Sequence, residues 1–307
     1  MQTFASTADP AASHWPADGS RLDRLDKRLS GPLFQLQLGA RLEVLLSVPG
    51  CFFGMPAALA VTPSLLAAAY SGGVPPSHLA LGAGVLLLAA WGVVVIGESE
   101  RLALALFSMR ACVVAPVVGV WLVEMHEGFP SAAKARAHLM LLSIFCALMP
   151  TLVLKKRTRR RRPVVSEVEH LGEASASAAT RKSLRVIPRL LSRDANAAFP
   201  SGDATGAAVF AFALAGASTG HRRAAVGLLV GACAGRVYWH AHHLLDVAVG
   251  AAIGLAVSAA VRWALGGGAA WWHALGAEAA LTAVALLVGT HKNHGKGRAS
   301  EPKAKKL

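Results

Sequence analysis

Residues 137–163 read AHLMLLSIFCALMPTLVLKKRTRRRRP: eighteen positions with no Asp, Glu, Lys or Arg, then nine of which seven are basic. Eighteen such residues, mostly apolar, wound as an α-helix reach about 27 Å, close to the ~30 Å hydrocarbon thickness of a bilayer. A basic cluster directly after such a run halts it at the polar surface, and Lys/Arg-rich loops mark the cytosolic side. The stretch reads as a membrane-spanning helix with a cytosolic stop.

Similar apolar runs recur near 44–70, 78–97, 103–124, 203–219, 224–241, 244–265 and 272–290. With 54% hydrophobic residues over 307 positions, the pattern predicts an all-α, multi-pass transmembrane helical bundle of about eight spans. Pro49, Pro56 and Pro63 make the first run either one kinked helix or a re-entrant pair. The expected organisation is a polar cytosolic segment at 1–40, disordered or lying at the surface, and N-terminal transmembrane helices over 41–136. A core over 137–265 follows with a basic loop at 155–202, then a last transmembrane helix at 266–290 and a basic disordered tail at 291–307.

Lys and Arg outnumber Asp and Glu by 31 to 17, a formal charge of +14. In a soluble chain that excess points to nucleic acid. Here the basic residues sit between spans, so the excess is read as topology and no nucleic-acid partner is expected. Arg21, Arg24, Lys27, Arg28, the 155–162 cluster, Arg181 to Arg193 and the Lys-rich C-terminus share one side. Only Lys134, Arg136, Arg222, Arg223 and Arg262 fall opposite, which places both termini in the cytosol. The N-terminal segment lacks an early apolar core, which argues against a cleaved signal. The terminal KAKKL is similar to a dilysine retrieval signal, pointing to the endoplasmic reticulum or another endomembrane. Arg181, Arg185, Arg189 and Arg193 recur every fourth residue, as a short interfacial helix broken at Pro188 or as a solvated loop. Cys51, Cys112, Cys146 and Cys233 lie in apolar runs and read as reduced, packed thiols with no metal spacing.

Three polar clusters interrupt this apolar background on one topological side: Lys155 to Pro163, Ser201 to Asp203, and Arg236 to Asp246. Polar groups at intramembrane helix ends are costly and mark function. Lys155, Arg162 and Arg236 offer cationic donors suited to phosphate oxygens. Ser201 and the Gly202 amide open a helix, where free N–H groups and the dipole favour an anion, and Gly lets the backbone approach closely. His242 and Asp246 stand four apart on one helical face, so the carboxylate can hold one imidazole nitrogen protonated while the other attacks phosphorus.

Lys155 with Arg162-Pro163, Pro200-Ser201-Gly202, and Arg236 with His242 and Asp246 together resemble the tripartite signature of the type 2 phosphatidic acid phosphatase superfamily, over roughly 137–265. The resemblance implies a helical core and a two-step phosphoester hydrolysis without metal or other cofactor. It makes His242 the nucleophile that forms a phosphohistidine, with Asp246 orienting it. Lys155, Arg162, Ser201, Gly202 and Arg236 would grip the phosphoryl oxygens. Two positions depart from the pattern: Gly235 precedes Arg236 where Ser is usual, and Asp203 follows Ser201-Gly202 where His is the usual general acid. Asp203 is expected to take over the acid role. The implied enzyme is a membrane phosphatase for a lipid phosphate or a polyprenyl (isoprenoid) diphosphate presented at the cytosolic interface, with the bilayer as its other partner; nothing fixes the oligomeric state.

Blander readings stand beside these. The 155–162 run also serves as a stop-transfer anchor, and Lys156, Arg157 and Arg159 to Arg161 are assigned to topology and anionic-lipid contacts. Ser201 and Asp203 also fit an N-cap and a first-turn acid. His240 and His243 read as polar interface residues, with an acid role for His243 as an alternative. Trp271 and Trp272 read as an aromatic belt; Glu98, Glu100 and Glu124 mark span ends, and Glu278 has no assigned partner. The functional alternatives are a weakened family member that only binds phospholipid, a transporter of phosphorylated metabolites that would use Arg110, and a lipid phosphotransferase.

Overall fold

A computed structural model of the chain describes residues 20–53, 56–71, 109–160, 162–163 and 197–265. Among them stand eight α-helices and no strand: α1 (Arg21–Gln35), α2 (Ala40–Phe52), α3 (Pro56–Tyr70), α4 (Met109–Met125), α5 (Ser131–Thr158), α6 (Gly202–Ala215), α7 (Thr219–Tyr238) and α8 (Leu244–Ala264). The runs at 78–97 and 272–290, the basic segment at 181–193 and the C-terminal tail lie outside the described residues.

α6 is the central helix, packed against α8, α7 and α5, with α2 along α7 and the α3–α4 pair against α5. Small and apolar residues surround α6, and nine of its fourteen residues, Ala204 to Leu214 among them, are buried. Phe53, Leu66, Met140 and Phe210 form one apolar cluster; Val120, Leu141 and Phe145 belong to a second between α4 and α5.

Two helices, α5 and α8, are long and apolar enough to cross a membrane; α3, α4 and α6 contain shorter apolar helices. The helices therefore do not map one-to-one onto the eight expected spans. The 44–70 run is carried by two helices, α2 ending at Phe52 and α3 beginning at Pro56. Pro56 opens α3, a position where the missing N–H costs nothing because first-turn donors have no helical partner. Large apolar side chains also face outward on several helices, including Leu45, Trp121, Val230 and Trp263.

Of the two expectations for the N-terminal segment, disorder fails over residues 21–35, which are helical, and the buried face of α1 is Asp23, Asp26, Ser30 and Phe34.

Glycines bring the backbones together. A Cβ on Gly254 of α8 would stand 2.5 Å from the Thr205 carbonyl oxygen and 2.7 Å from Ala208 Cβ, and one on Gly250 would strike the Ser201 carbonyl. Gly50 of α2 and Gly235 of α7 meet in the same way: a Cβ on Gly235 would lie 2.6 Å from Gly50 Cα. Such small-residue crossings let helix backbones approach closely. Gly254→Ala and Gly235→Ala should each lower the thermal unfolding midpoint of the purified protein, at an overpacking cost of about 1–3 kcal/mol. Gly227→Ala, whose Cβ enters open space, should be neutral or gain up to ~1 kcal/mol of helix propensity. Equal shifts for all three would show that these crossings are not close-packed.

Candidate active site

α5 ends where its last turn carries Lys155, Lys156 and Arg157, cations that suit the negative end of a helix dipole. Arg159 takes left-handed geometry (φ 46°) and its N–H donates to the Lys155 carbonyl at 3.1 Å, closing the helix and turning the chain inward. The following residues are then joined to the segment before Ser201. Ala198 N–H donates to the Arg160 carbonyl (2.8 Å), Lys155 Nζ to the Ala197 carbonyl (2.6 Å) and Thr158 Oγ1 to the Phe199 carbonyl (3.2 Å).

Ser201 caps α6, its Oγ accepting from Ala204 N–H at 3.3 Å. Its own N–H donates to the Asp246 carbonyl at 2.9 Å, so the second and third clusters touch through backbone. The Gly250 and Gly254 crossing makes that approach possible. Beside Gly202 the space is open, with no atom within 4 Å of a Cβ placed there. The close approach anticipated for this glycine is therefore not to another part of the described fold.

Arg236 lies in the last turn of α7. Its carbonyl accepts both Ala241 N–H (3.0 Å) and His242 N–H (3.3 Å), winding 237–242 into a tight turn in which His240 adopts φ 57°. That turn explains the five-residue gap between Arg236 and His242: Arg236 Nη2 comes to 3.5 Å from His242 Nε2. Arg236 also pairs with Asp203, Nη2 to Oδ2 at 2.9 Å, and its Nη1 reaches the Gly50 carbonyl at 3.5 Å. Arg162 Nη1 donates to the Ala241 carbonyl at 3.3 Å. Gly235 in place of the usual Ser has a packing cause, since Gly50 leaves no room for a side chain there.

Asp246 is fully buried. Its Oδ1 accepts from Arg160 Nη1 at 2.6 Å and its Oδ2 from the His243 backbone N–H at 2.8 Å. The same Oδ2 stands 3.7 Å from His242 Nδ1 and 3.6 Å from His243 Nδ1. These distances exceed direct hydrogen-bond length, and neither Nδ1 has a hydrogen-bond partner among the described residues. The His242–Asp246 pair is thus adjacent but loose, with His243 an equal neighbour. His243 precedes α8 at its N-cap, and His240 stacks on Phe34 at 4.7 Å; both are buried rather than interfacial.

Arg160 overturns its assignment to lipid contact. It is 2% exposed, and its Nη2 lies 2.7 Å from Asp26 Oδ2 and 3.3 Å from Asp23 Oδ1 while Nη1 holds Asp246. Lys27 adds a 2.8 Å pair to Asp23. Asp26, His243 and Asp246 bring three ligand atoms within 4.8 Å of one another, and the Arg160 guanidinium is the cation that binds two of these carboxylates. α1 also caps α8: Leu244 N–H donates to Ser30 Oγ (3.0 Å) and Leu245 N–H to Asp26 Oδ1 (2.8 Å). Arg160, Asp23, Asp26 and Ser30 were not among the expected site residues. The helical spacing of Asp23, Asp26, Ser30 and Phe34 was visible, but it gave no sign of burial, because the inward face is mostly polar while the apolar stripe of α1, Leu22, Leu25 and Leu29, is exposed.

The expected residues Arg162, Ser201, Asp203, Arg236, His242 and Asp246 therefore meet in one largely buried cluster, with Gly202 opening α6 beside it and Lys155 joined through the Ala197 carbonyl. Burial pushes the His242 imidazole well below its ordinary pKa; Arg162 and Arg236 push the same way, while Asp246 opposes them. The imidazole thus sits between the charges of two guanidiniums, with Nε2 turned to Arg236 at 3.5 Å.

No curated protein and no solved structure matches the chain. One family model does, over residues 136–267, and its description is the PAP2 superfamily. Those residues contain all three polar clusters, most of α5 and the helices α6 to α8 that bring them together, and over this segment the chain is similar to the PAP2 superfamily.

Proposed function

We propose that the chain is a membrane-embedded phosphatase that hydrolyses a lipid phosphate or an isoprenoid diphosphate through a phosphohistidine intermediate, without a metal in the step. The superfamily match supports phosphoric ester hydrolysis in general. The observation that carries the finer reading is the approach of Arg236 Nη2 to His242 Nε2 at 3.5 Å, in a buried cluster with Arg162 and Ser201.

In this reading the phosphoryl group lies beside Gly202, where the fold leaves space, with its oxygens on Arg162, Arg236, the Ser201 hydroxyl and the first amides of α6, and Lys155 adding charge at the rim. His242 Nε2 attacks phosphorus, the bond to the leaving oxygen breaks, and that oxygen keeps the electron pair. Water then attacks the phosphohistidine, the P–N bond breaks and inorganic phosphate leaves. Asp246, itself held by Arg160, steadies the imidazolium that forms and dissipates. The guanidiniums stabilise charge as it builds on the equatorial oxygens, commonly the largest catalytic contribution. Asp203 is the proposed donor to the leaving oxygen and acceptor from the attacking water. Its carboxylate lies 2.9 Å from Arg236 Nη2, so it must carry a proton when it donates. A diphosphate suits this acid better than a monoester, because a leaving phosphate needs less protonation than an alkoxide.

Membrane embedding draws support from α5 and α8 and from the outward apolar side chains of the shorter helices. The basic cluster that ends the 137–163 stretch supports a cytosolic position for the site by charge asymmetry, and the C-terminal lysines support an endomembrane. The Asp203–Arg236 pair favours one second reading, in which hydrolysis has been lost and phospholipid is only bound.

Purified protein should release phosphate from lipid phosphates or diphosphates in mixed micelles, with the rate unchanged by a strong chelator. His242→Ala should lower kcat by roughly 10⁴-fold or more, as loss of a nucleophile does. Equal release by both proteins would favour the binding reading. In the same assay Asp203→Asn should slow a monoester more than a diphosphate, and an equal effect on both would remove Asp203 from leaving-group protonation. Because the neutral imidazole is the nucleophile and its pKa is lowered, the acid limb of kcat/KM should lie below the ordinary imidazole value of about 6.5. An acid limb at or above that value would mean His242 is charged at rest and is not the attacking group.

A further inference from the structure

The helix α1 has three faces. The inner one carries Asp23, Asp26, Ser30 and Phe34, all buried against the site. Beside it run Leu22, Leu25 and Leu29, which are 42%, 52% and 55% exposed, and Leu36 continues the line. The remaining face carries Arg21, Arg24 and Arg28, all exposed. A helix on a water-soluble domain buries its leucines and exposes its carboxylates. Here the arrangement is reversed, with the acids turned inward onto Arg160 and α8 and the leucines turned out.

The surroundings set the depth at which this face lies. α1 packs on the first turn of α8 and, through Arg160, on the end of α5, the two helices long enough to cross a bilayer. Exposed Lys156, Arg157 and Arg159 project at that same end of α5. A leucine stripe flanked by arginines, at the level where two apolar helices finish and other cations gather, matches the layer between acyl chains and anionic headgroups.

We propose that α1 is an interfacial helix that docks on an anionic lipid surface, with Leu22, Leu25 and Leu29 against the acyl chains and Arg21, Arg24 and Arg28 on lipid phosphates. The proposal rests on the membrane reading given above. It has a functional corollary, because the helix that touches the headgroups is the helix whose other face holds Asp246 through Asp26 and Arg160. The bilayer surface and the site then share one rigid element, and the site opens at the depth where the phosphate of an amphiphilic substrate resides.

The test uses the full chain carrying Leu25→Cys with a nitroxide label, its four native cysteines replaced by alanine, in nanodiscs of phosphatidylcholine with or without phosphatidylglycerol. Relaxation by oxygen should exceed relaxation by a water-soluble nickel chelate when phosphatidylglycerol is present. Replacing Arg21, Arg24 and Arg28 together by Gln should lose that anionic-lipid dependence. A label fully accessible to the nickel chelate in both kinds of disc overturns the proposal. A label shielded from both quenchers also overturns it, since a protein partner or second copy then covers the face. The measurement needs no turnover. A lipid-immersed label on a protein that cannot release phosphate would remove the phosphatase reading alone, and an active protein with an aqueous label would remove the docking alone.

Discussion

A guanidinium buried beside carboxylates on separate helices is the interaction on which the arrangement of this protein depends. Isolated charge is not tolerated away from water, and a buried cation must be met by anions with good geometry. Arg160 meets that demand with Asp246 on one side and Asp26 and Asp23 on the other. In doing so it joins α1, the turn after α5 and the start of α8, three pieces of chain that are distant in sequence. Removing any one partner leaves charge stranded in the interior, so the cluster behaves as a unit. The carboxylate beside His242 is therefore held by long-range electrostatics as well as by its own helix.

Backbone proximity supplies the rest. Three helix ends converge on the site: the N-terminus of α6, the C-terminus of α7 and the N-terminus of α8. Gly250 and Gly254 allow α8 to touch α6 closely enough for the Ser201 amide to reach the Asp246 carbonyl. Gly50 and Gly235 allow α2 to support the last turn of α7, where the Arg236 carbonyl gathers the amides of the turn that carries His242. The spacing of polar residues along the chain is thus the imprint of helix ends and turns, and each chemical group is aimed by main-chain bonds before any side chain is considered. A site assembled in this way is pre-organised, which is what charge stabilisation in a reaction requires.

Much of this was legible in the residues alone, for identifiable reasons. Helical class followed from long apolar runs, and six of the eight nominated site residues fall in one cluster because cations, a helix-opening Ser-Gly and a His/Asp pair four apart have little reason to interrupt such runs except chemistry. The separation of α2 from α3 was half visible: the prolines allowed either one kinked helix or a pair, and nothing local chose between them. Arg160 was hidden by its neighbours, since in a run of arginines nothing local distinguishes the one turned inward. Asp23 and Asp26 were hidden by composition, because a polar segment with scattered acids looks solvated, and only a buried cation elsewhere in the chain gives those acids a partner. Gly235 looked like a mismatch in a signature when it was a demand for space made by Gly50.

The pairing of Asp203 with Arg236 bears on how an anion would leave the proposed site. Arginines that grip a phosphoryl group would grip inorganic phosphate as well, and Arg236 already has a carboxylate 2.9 Å away. In the phosphatase reading that carboxylate competes with any bound anion for the guanidinium, and so would weaken retention of the product as well as binding of the substrate.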